Sequence, residues 1–211
     1  MKRILLYIGI LFFALSCAGR TFRPATGDLL FQINEASAMT DAITAATAEK
    51  EPYPFSHVAI CLGGAKSDSV IEASGRGGVR IVSLTEFLDA SGKIDGRPAV
   101  VAMRLRDTTD IAARAAVRSL KYLGQPYDYS YLPANGKMYC SELVWESYLD
   151  RHGAKLFHAR PMNFRDSAGR LPDFWRRLFE KLGEPVPEGV IGTNPADLSK
   201  DSLLREIHRY F

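Results

Sequence analysis

Two short apolar runs separated by a glycine turn constrain this chain more than any other feature. Ser56-His57-Val58-Ala59-Ile60-Cys61-Leu62 and Ser69-Val70-Ile71-Glu72-Ala73 are rich in β-branched and apolar residues and bounded by small or polar ones, the pattern of strands. Gly63-Gly64-Ala65-Lys66 between them is a turn signal. A hairpin this deep in the chain implies antiparallel pairing. If the turn takes those four residues, Leu62 faces Ser67, and the pairing carried outward sets His57 directly opposite Glu72. Their Cβ atoms would then be roughly 5 Å apart on one face. A carboxylate there accepts an imidazole N–H, fixes its tautomer and favours the imidazolium. A one-residue slip would send Glu72 to the other face. Taken singly, His57 reads as a hydrogen-bonded strand histidine and Glu72 as a solvated carboxylate; the expected pairing is what suggests chemistry.

A thiol completes the set. After Tyr139-Cys140-Ser141-Glu142 the apolar positions change period, and Cys140, Leu143, Val144, Ser147 and Tyr148 share one helical face. The preceding Leu132-Pro133-Ala134-Asn135-Gly136-Lys137 is a loop by composition, so Cys140 falls in the first turn of a helix, on its buried side. The positive end of the helix dipole and its unpaired N–H groups favour a thiolate there and can stabilise an oxyanion. Thiolate, base and orienter are the parts of a nucleophilic triad. The plainer alternative is that Cys140 is a small buried residue. Cys61, mid-strand, reads as core. His152, His158 and His208 lie in polar, charged contexts and read as surface residues.

The remaining elements are a strand near Asp28–Ile33, an alanine-rich helix over Ser37–Lys50, a strand near Gly78–Val82 and a short helix over Leu84–Leu88. A strand over Pro98–Leu105 and a helix over Asp110–Leu123, with Ala112, Ala116, Leu120 and Leu123 on one face, come next. Helices over Pro172–Leu182, amphipathic and at the surface, and over Pro195–Tyr210 follow the Cys140 helix. Strands and helices are interspersed without a βαβ repeat, which indicates an α+β fold with a mostly antiparallel sheet packed against helices.

These segments resemble the circularly permuted papain-like amidases and hydrolases of the YaeF/YiiX type, relatives of NlpC-like cysteine peptidases. The resemblance lies in Gly27-Asp28-Leu29-Leu30-Phe31, the His57 strand, Val70-Ile71-Glu72-Ala73 and Gly78-Val79, and further along in Gly124-Gln125-Pro126-Tyr127-Asp128, the Cys140 segment and Gly192-Thr193-Asn194-Pro195. It spans nearly all of residues 24–200. The histidine strand precedes the cysteine, which is the permuted order. The resemblance implies a permuted papain-like (NlpC-like) fold, with Cys140 as nucleophile, His57 as base, Glu72 as orienter and Tyr139 lining the oxyanion site or pocket. Asp28 would make a turn or strand-entry hydrogen bond. The substrate class implied is a small peptide, a cell-wall peptide or an acyl amide. A cysteine hydrolase of the amidase or peptidase kind is the leading reading. An acyltransferase or lipid esterase using the same acyl-enzyme, and a non-catalytic envelope binding lipoprotein, are the alternatives.

The N-terminal residues carry a different signal. Lys2 and Arg3 precede an apolar run from Ile4 to Leu15, the make-up of a secretory signal, too short for a comfortable membrane span. Ala14-Leu15-Ser16-Cys17 resembles a bacterial lipoprotein cleavage box, with its leucine two rather than three residues before the cysteine. Expected boundaries are a signal peptide over residues 1–16, a lipidated Cys17 with a tether to residue 25, and a hydrolase domain over residues 26–211. That implies a lipid-anchored protein of the bacterial envelope, held to the membrane through its N-terminus. With Cys17 lipidated and Cys140 in use, only Cys61 remains of the three cysteines, so no disulfide framework exists. The net charge of +3 falls to +1 without Lys2 and Arg3, which gives no reason to expect a nucleic-acid partner. There is no phosphate loop and no zinc-like His/Cys spacing, so no cofactor and no metal are expected.

Overall fold

The computed structural model describes residues 22–47, 53–63, 68–106 and 110–211. The segment read as a signal peptide and the expected lipidation site Cys17 lie outside these residues, as do residues 64–66 of the glycine turn and 48–50 of the first helix.

In chain order the elements are β1 (Leu29–Gln32), α1 (Ala38–Thr47), β2 (His57–Cys61), β3 (Ser69–Ser74), β4 (Gly78–Ser83) and α2 (Leu84–Asp89). Next come β5 (Lys93–Ile94), β6 (Arg97–Pro98), β7 (Val100–Leu105), α3 (Ile111–Ser119) and α4 (Cys140–Ser147). The chain closes with β8 (Arg160–Pro161), α5 (Asp173–Leu182), β9 (Ile191–Gly192), α6 (Pro195–Ser199) and β10 (Leu204–Arg209). Six strands form one sheet in the order β10-β7-β1-β2-β3-β4, with every neighbouring pair antiparallel.

Alternation along the strands divides the core. Leu29, Phe31, Val58, Ile60 and Ile71 pack with Leu143 and Val144 of α4, while Leu30, Ala59, Cys61, Val70 and Val82 pack with Phe87 of α2. Leu143 and Val144 are wholly buried, a gain of about 1.5–3 kcal/mol each. That burial seats α4 on the sheet and thereby fixes where Cys140 stands. A third cluster joins Trp175 and Phe179 of α5 to Ala42 of α1 and to Tyr131, Tyr139 and Phe164. The helix expected to lie at the surface therefore anchors a wall of the molecule. Asp28 takes the structural role expected of it. It accepts the Ala25 N–H at 2.7 Å and pairs with both arms of Arg104 at 2.7 and 2.8 Å, locking the start of β1 to β7.

Two expectations about the elements need correction. The stretch read as one helix over Pro195–Tyr210 is a five-residue helix, α6, followed by the strand β10. A turn ends the helix, with the Asp201 side chain accepting the Leu203 N–H at 2.9 Å. The following residues then cover the edge of β7, where they find ladder partners that a helix would leave unsatisfied. On α3 the buried residues are Ala115, Ala116 and Ser119, whereas Leu120 and Leu123 are 42% and 51% exposed. A 3-10 turn over Leu120–Tyr122 ends the helix and rotates the later side chains away, since it winds about 3.0 rather than 3.6 residues per turn. Phe22, at the start of the described residues, stacks its ring on His208 with centroids 4.1 Å apart.

Candidate active site

His57 is the first residue of β2, so its ring stands at the margin of the sheet. Phe87 lies 5.9 Å away, ring centroid to ring centroid. The Nε2 atom meets Glu72 Oε2 at 2.7 Å, and Cys140 stands beside the ring, close enough to raise its basicity. All three side chains are buried: His57 is 8%, Glu72 5% and Cys140 5% exposed.

The expected direct pairing of His57 with Glu72 is wrong by two residues. Ile60 is opposite Ile71 and Cys61 opposite Val70, so the ladder continued outward sets Glu72 against Ala59. A two-residue offset keeps the side-chain parity, so Glu72 still shares a face with His57. Diagonal neighbours are roughly 7–8 Å apart, within reach of two long side chains. The offset arises because the connection between the strands, residues 62–68, is longer than a four-residue turn.

Burial by itself would lower the basicity of the imidazole. Hydrogen bonding with Cys140 and Glu72, and the electrostatic attraction of both, outweigh it and raise the His57 pKa to about 10. Burial likewise opposes ionisation of Glu72. The hydrogen bond and charge of His57, followed by those of Arg80, hold the Glu72 carboxyl below its usual value.

Arg80 is the residue that sequence reasoning missed. It is the direct ladder partner of Glu72 on β4; its Nε donates to Glu72 Oε1 at 3.0 Å, and its Nη2 lies 2.8 Å from the same oxygen as an ion pair. A signal existed. The turn Gly75-Arg76-Gly77 closes a tight hairpin, and pairing outward from Ser74 opposite Gly78 brings Arg80 against Glu72.

Local contacts explain how Cys140 is presented. Asp128 is fully buried and accepts the N–H groups of Ser130 and Leu132, both at 2.9 Å, folding the loop that precedes the helix. Tyr139 caps α4, with Glu142 Oε2 reaching back to accept its backbone N–H at 3.4 Å. The Tyr139 hydroxyl accepts the Thr193 N–H at 3.3 Å, and Ser141 Oγ donates to Thr193 O at 3.0 Å. The start of α4 is thus pinned to the Gly192–Pro195 segment, and Tyr139 lines the cleft beside the thiol. Of the rival groups, Cys61 is 1% exposed and its thiol is pushed up by burial. His152 and His158 are exposed, and His208 is taken up by stacking on Phe22.

Two cavities flank the site and share Ile43, Ser56 and Tyr127. The larger, about 330 Å³, opens beside His57 and is lined by polar groups such as Gln32, Asn34, Glu35 and Arg76. The smaller, about 60 Å³, lies beside Cys140 between Ile43, Met162, Phe164 and Trp175. Gly189 N–H donates to Met162 O at 2.9 Å, so the proline-rich loop before β9 braces the wall of this pocket.

A family model described as "Permuted papain-like amidase enzyme, YaeF/YiiX, C92 family" matches residues 23–208. The chain belongs to that family. It is 28% identical over 187 residues to the uncharacterized protein YiiX of Escherichia coli (strain K12), an alignment covering 89% of this chain and 86% of that one. Its fold is also similar to the crystal structure of the metalloprotein yiiX from Escherichia coli O157:H7, with a TM-score of 0.72 and 25% identity, covering 89% of this chain and 98% of the other. Among the described residues of this family member, no group of three or more His, Cys, Asp or Glu side chains is arranged to hold a metal ion. The guanidinium fixed on Glu72 also opposes a second cation there. The permuted order, histidine strand before cysteine helix, is accommodated because β2 lies within the sheet on which α4 packs.

Proposed function

We propose that this family member is a cysteine hydrolase that cleaves an amide bond in a peptide-like substrate through a Cys140 acyl-enzyme. The observation that carries the proposal is the buried chain of contacts from Cys140 to His57 to Glu72, with the thiol at the first residue of a helix and the carboxylate 2.7 Å from the imidazole. Nε2 is committed to Glu72, so Nδ1 faces the thiol. The Cys140 thiolate attacks the substrate carbonyl carbon, and N–H groups at the start of α4 stabilise the oxyanion. Collapse expels the amine, which takes its proton from the His57 imidazolium and leaves a thioester. Water, deprotonated by His57, then attacks that thioester and releases the acid and the thiol.

The cavities support a peptide amide over a long acyl chain. The large basin mixes polar groups such as Gln32, Asn34 and Arg76 with apolar ones, and the apolar pocket, at about 60 Å³, takes a small side chain and not a fatty tail. Anchoring in the bacterial envelope through a lipidated Cys17 remains part of this proposal on the strength of residues 1–17 alone. Incorporation of labelled fatty acid into the wild type but not into Cys17→Ser tests it.

The decisive experiment is hydrolysis of a panel of aminoacyl, peptide and fatty-acyl amides and esters by protein lacking residues 1–16. Wild type is expected to turn over short peptide amides and Cys140→Ala none. If both proteins are equally inert yet bind a wall or lipid ligand equally well, a binding role replaces this one.

A further inference from the structure

Glu72 is held from two sides. Its Oε2 faces His57 Nε2 at 2.7 Å, while its Oε1 accepts from Arg80 Nε at 3.0 Å and lies 2.8 Å from Arg80 Nη2 in an ion pair. The remaining nitrogen, Arg80 Nη1, donates to Glu86 Oε1 at 3.3 Å in the first turn of α2. The side chain of Glu72 is 7% exposed and that of Arg80 31%, so the cation bridges a buried carboxylate to the surface. Glu72 and Arg80 face each other directly in the β3–β4 ladder, which fixes their separation through the backbone.

We propose that Arg80 is a positioning residue of the hydrolase site, holding Glu72 ionised and turned so that Oε2 meets His57. The catalytic meaning of this role rests on the proposed function above. Three features support it. A carboxylate this buried strongly favours protonation unless it is paired. His57 is a cation only while protonated, whereas a guanidinium is one at every working pH. The planar guanidinium also holds Oε1 through the Nε hydrogen bond and the Nη2 ion-pair contact, so rotating the carboxylate would lose both. Lysine would supply the charge without the fork.

The charged and titratable groups around Glu72 are His57 from β2, Arg80 from β4 and, through His57, Cys140 from α4. Glu86 of α2 reaches Arg80, and Glu35, Arg76 and Tyr127 line the basin into which Glu72 opens. Burial pushes the Glu72 carboxyl up, and His57 and Arg80 hold it down. Loss of Arg80 leaves burial less opposed, so the carboxyl titrates higher.

The test is an NMR titration of the Glu72 side-chain carboxyl, labelled with ¹³C, in wild type, Arg80→Gln and Arg80→Lys, alongside the pH profile of kcat/KM. In Arg80→Gln the Glu72 midpoint should rise by about one pH unit or more, and the acidic limb of kcat/KM should rise with it. In Arg80→Lys the midpoint should return close to that of wild type, while kcat stays about tenfold low because the fork is missing. A Glu72 midpoint and acidic limb unmoved in Arg80→Gln would overturn the role, with the hydrolase reading intact. Should Arg80→Gln not fold, full kcat in Arg80→Lys overturns the orienting part by itself. Absence of any Cys140-dependent turnover in the wild type instead removes the hydrolase reading and, with it, the positioning role in catalysis.

Discussion

Glu72 reaches His57 along the diagonal of the β2–β3 ladder: Oε2 and Nε2 are 2.7 Å apart although the backbone register sets Glu72 against Ala59. The contact therefore depends on side-chain length, and a shorter carboxylate would not span the diagonal.

Glu72→Gln should retain the fold, judged by an unchanged melting temperature, and lower kcat by about 10–10³-fold. Glutamine keeps a hydrogen bond to the ring but loses the charge that stabilises imidazolium. The corresponding loss in serine proteases is about 10⁴, and a partly preformed thiolate–imidazolium pair makes a smaller loss reasonable here. Glu72→Asp should fare no better, because it cannot reach. Steady-state turnover at or above the wild-type level in either variant would exclude Glu72 as orienter.

The two described thiols should react very differently. Cys140 opens α4 beside an imidazole, whereas Cys61 is 1% exposed in the opposite core and burial raises its thiol well above the usual value. Brief treatment with iodoacetamide near neutral pH, read by peptide mass mapping, should modify Cys140 and spare Cys61 by orders of magnitude. Comparable modification of both in the folded protein contradicts this.

Stability should fall as pH rises through the neutral range. Burial pushes the Glu142 carboxyl up to about 8, against an ordinary value of about 4.3. The folded protein keeps a proton that the unfolded chain releases, so the stabilisation from this group is full below about 4.3 and lost as pH climbs to about 8. His57, raised to about 10, has the same sign from about 6.5 upward. The measurement is therefore a comparison: Glu142→Gln, neutral throughout, should lose less Tm between pH 5 and 8 than the wild type. Parallel Tm curves for the two proteins would assign the slope to other groups.

Gly78→Ala should destabilise the protein and disturb the cleft. Gly78 has φ +68°, and an added Cβ would stand 2.0 Å from Gln125 O, two residues before Tyr127. A left-handed alanine costs about 1–2 kcal/mol, and the backbone clash adds displacement of the Gln125–Tyr127 loop, whose Tyr127 lines both cavities. Urea denaturation should show the loss in ΔG, and the variant should show a raised KM. An unchanged denaturation midpoint would mean that the loop yields freely.

Much of the fold was legible from local patterns. The runs around His57 and Glu72 alternate as strands, and they are strands. Cys140, Leu143, Val144 and Tyr148 share a helical period, and they share a buried face. Periodicity sufficed there because each element buries one face against the sheet. It failed at β10, where helical spacing in residues 195–210 lost to the unpaired edge of β7, a partner distant in sequence. It failed in part on α3, where Ala116 is buried as its spacing indicates but Leu120 and Leu123, expected on the same face, are exposed.

The sequence by itself determined the parts of the candidate site, their order and the elements that carry them, because residue type and periodicity are local properties. It also determined that His57 and Glu72 share a face, since side-chain parity survives a two-residue offset. Only the tertiary structure decided that they meet diagonally, that Arg80 claims the other oxygen of Glu72, and that α4 docks so that Cys140 meets the imidazole. Those outcomes depend on loop length, on ladder register and on how α4 seats its buried leucine and valine on the sheet, and each of these is set by packing between segments far apart in the chain.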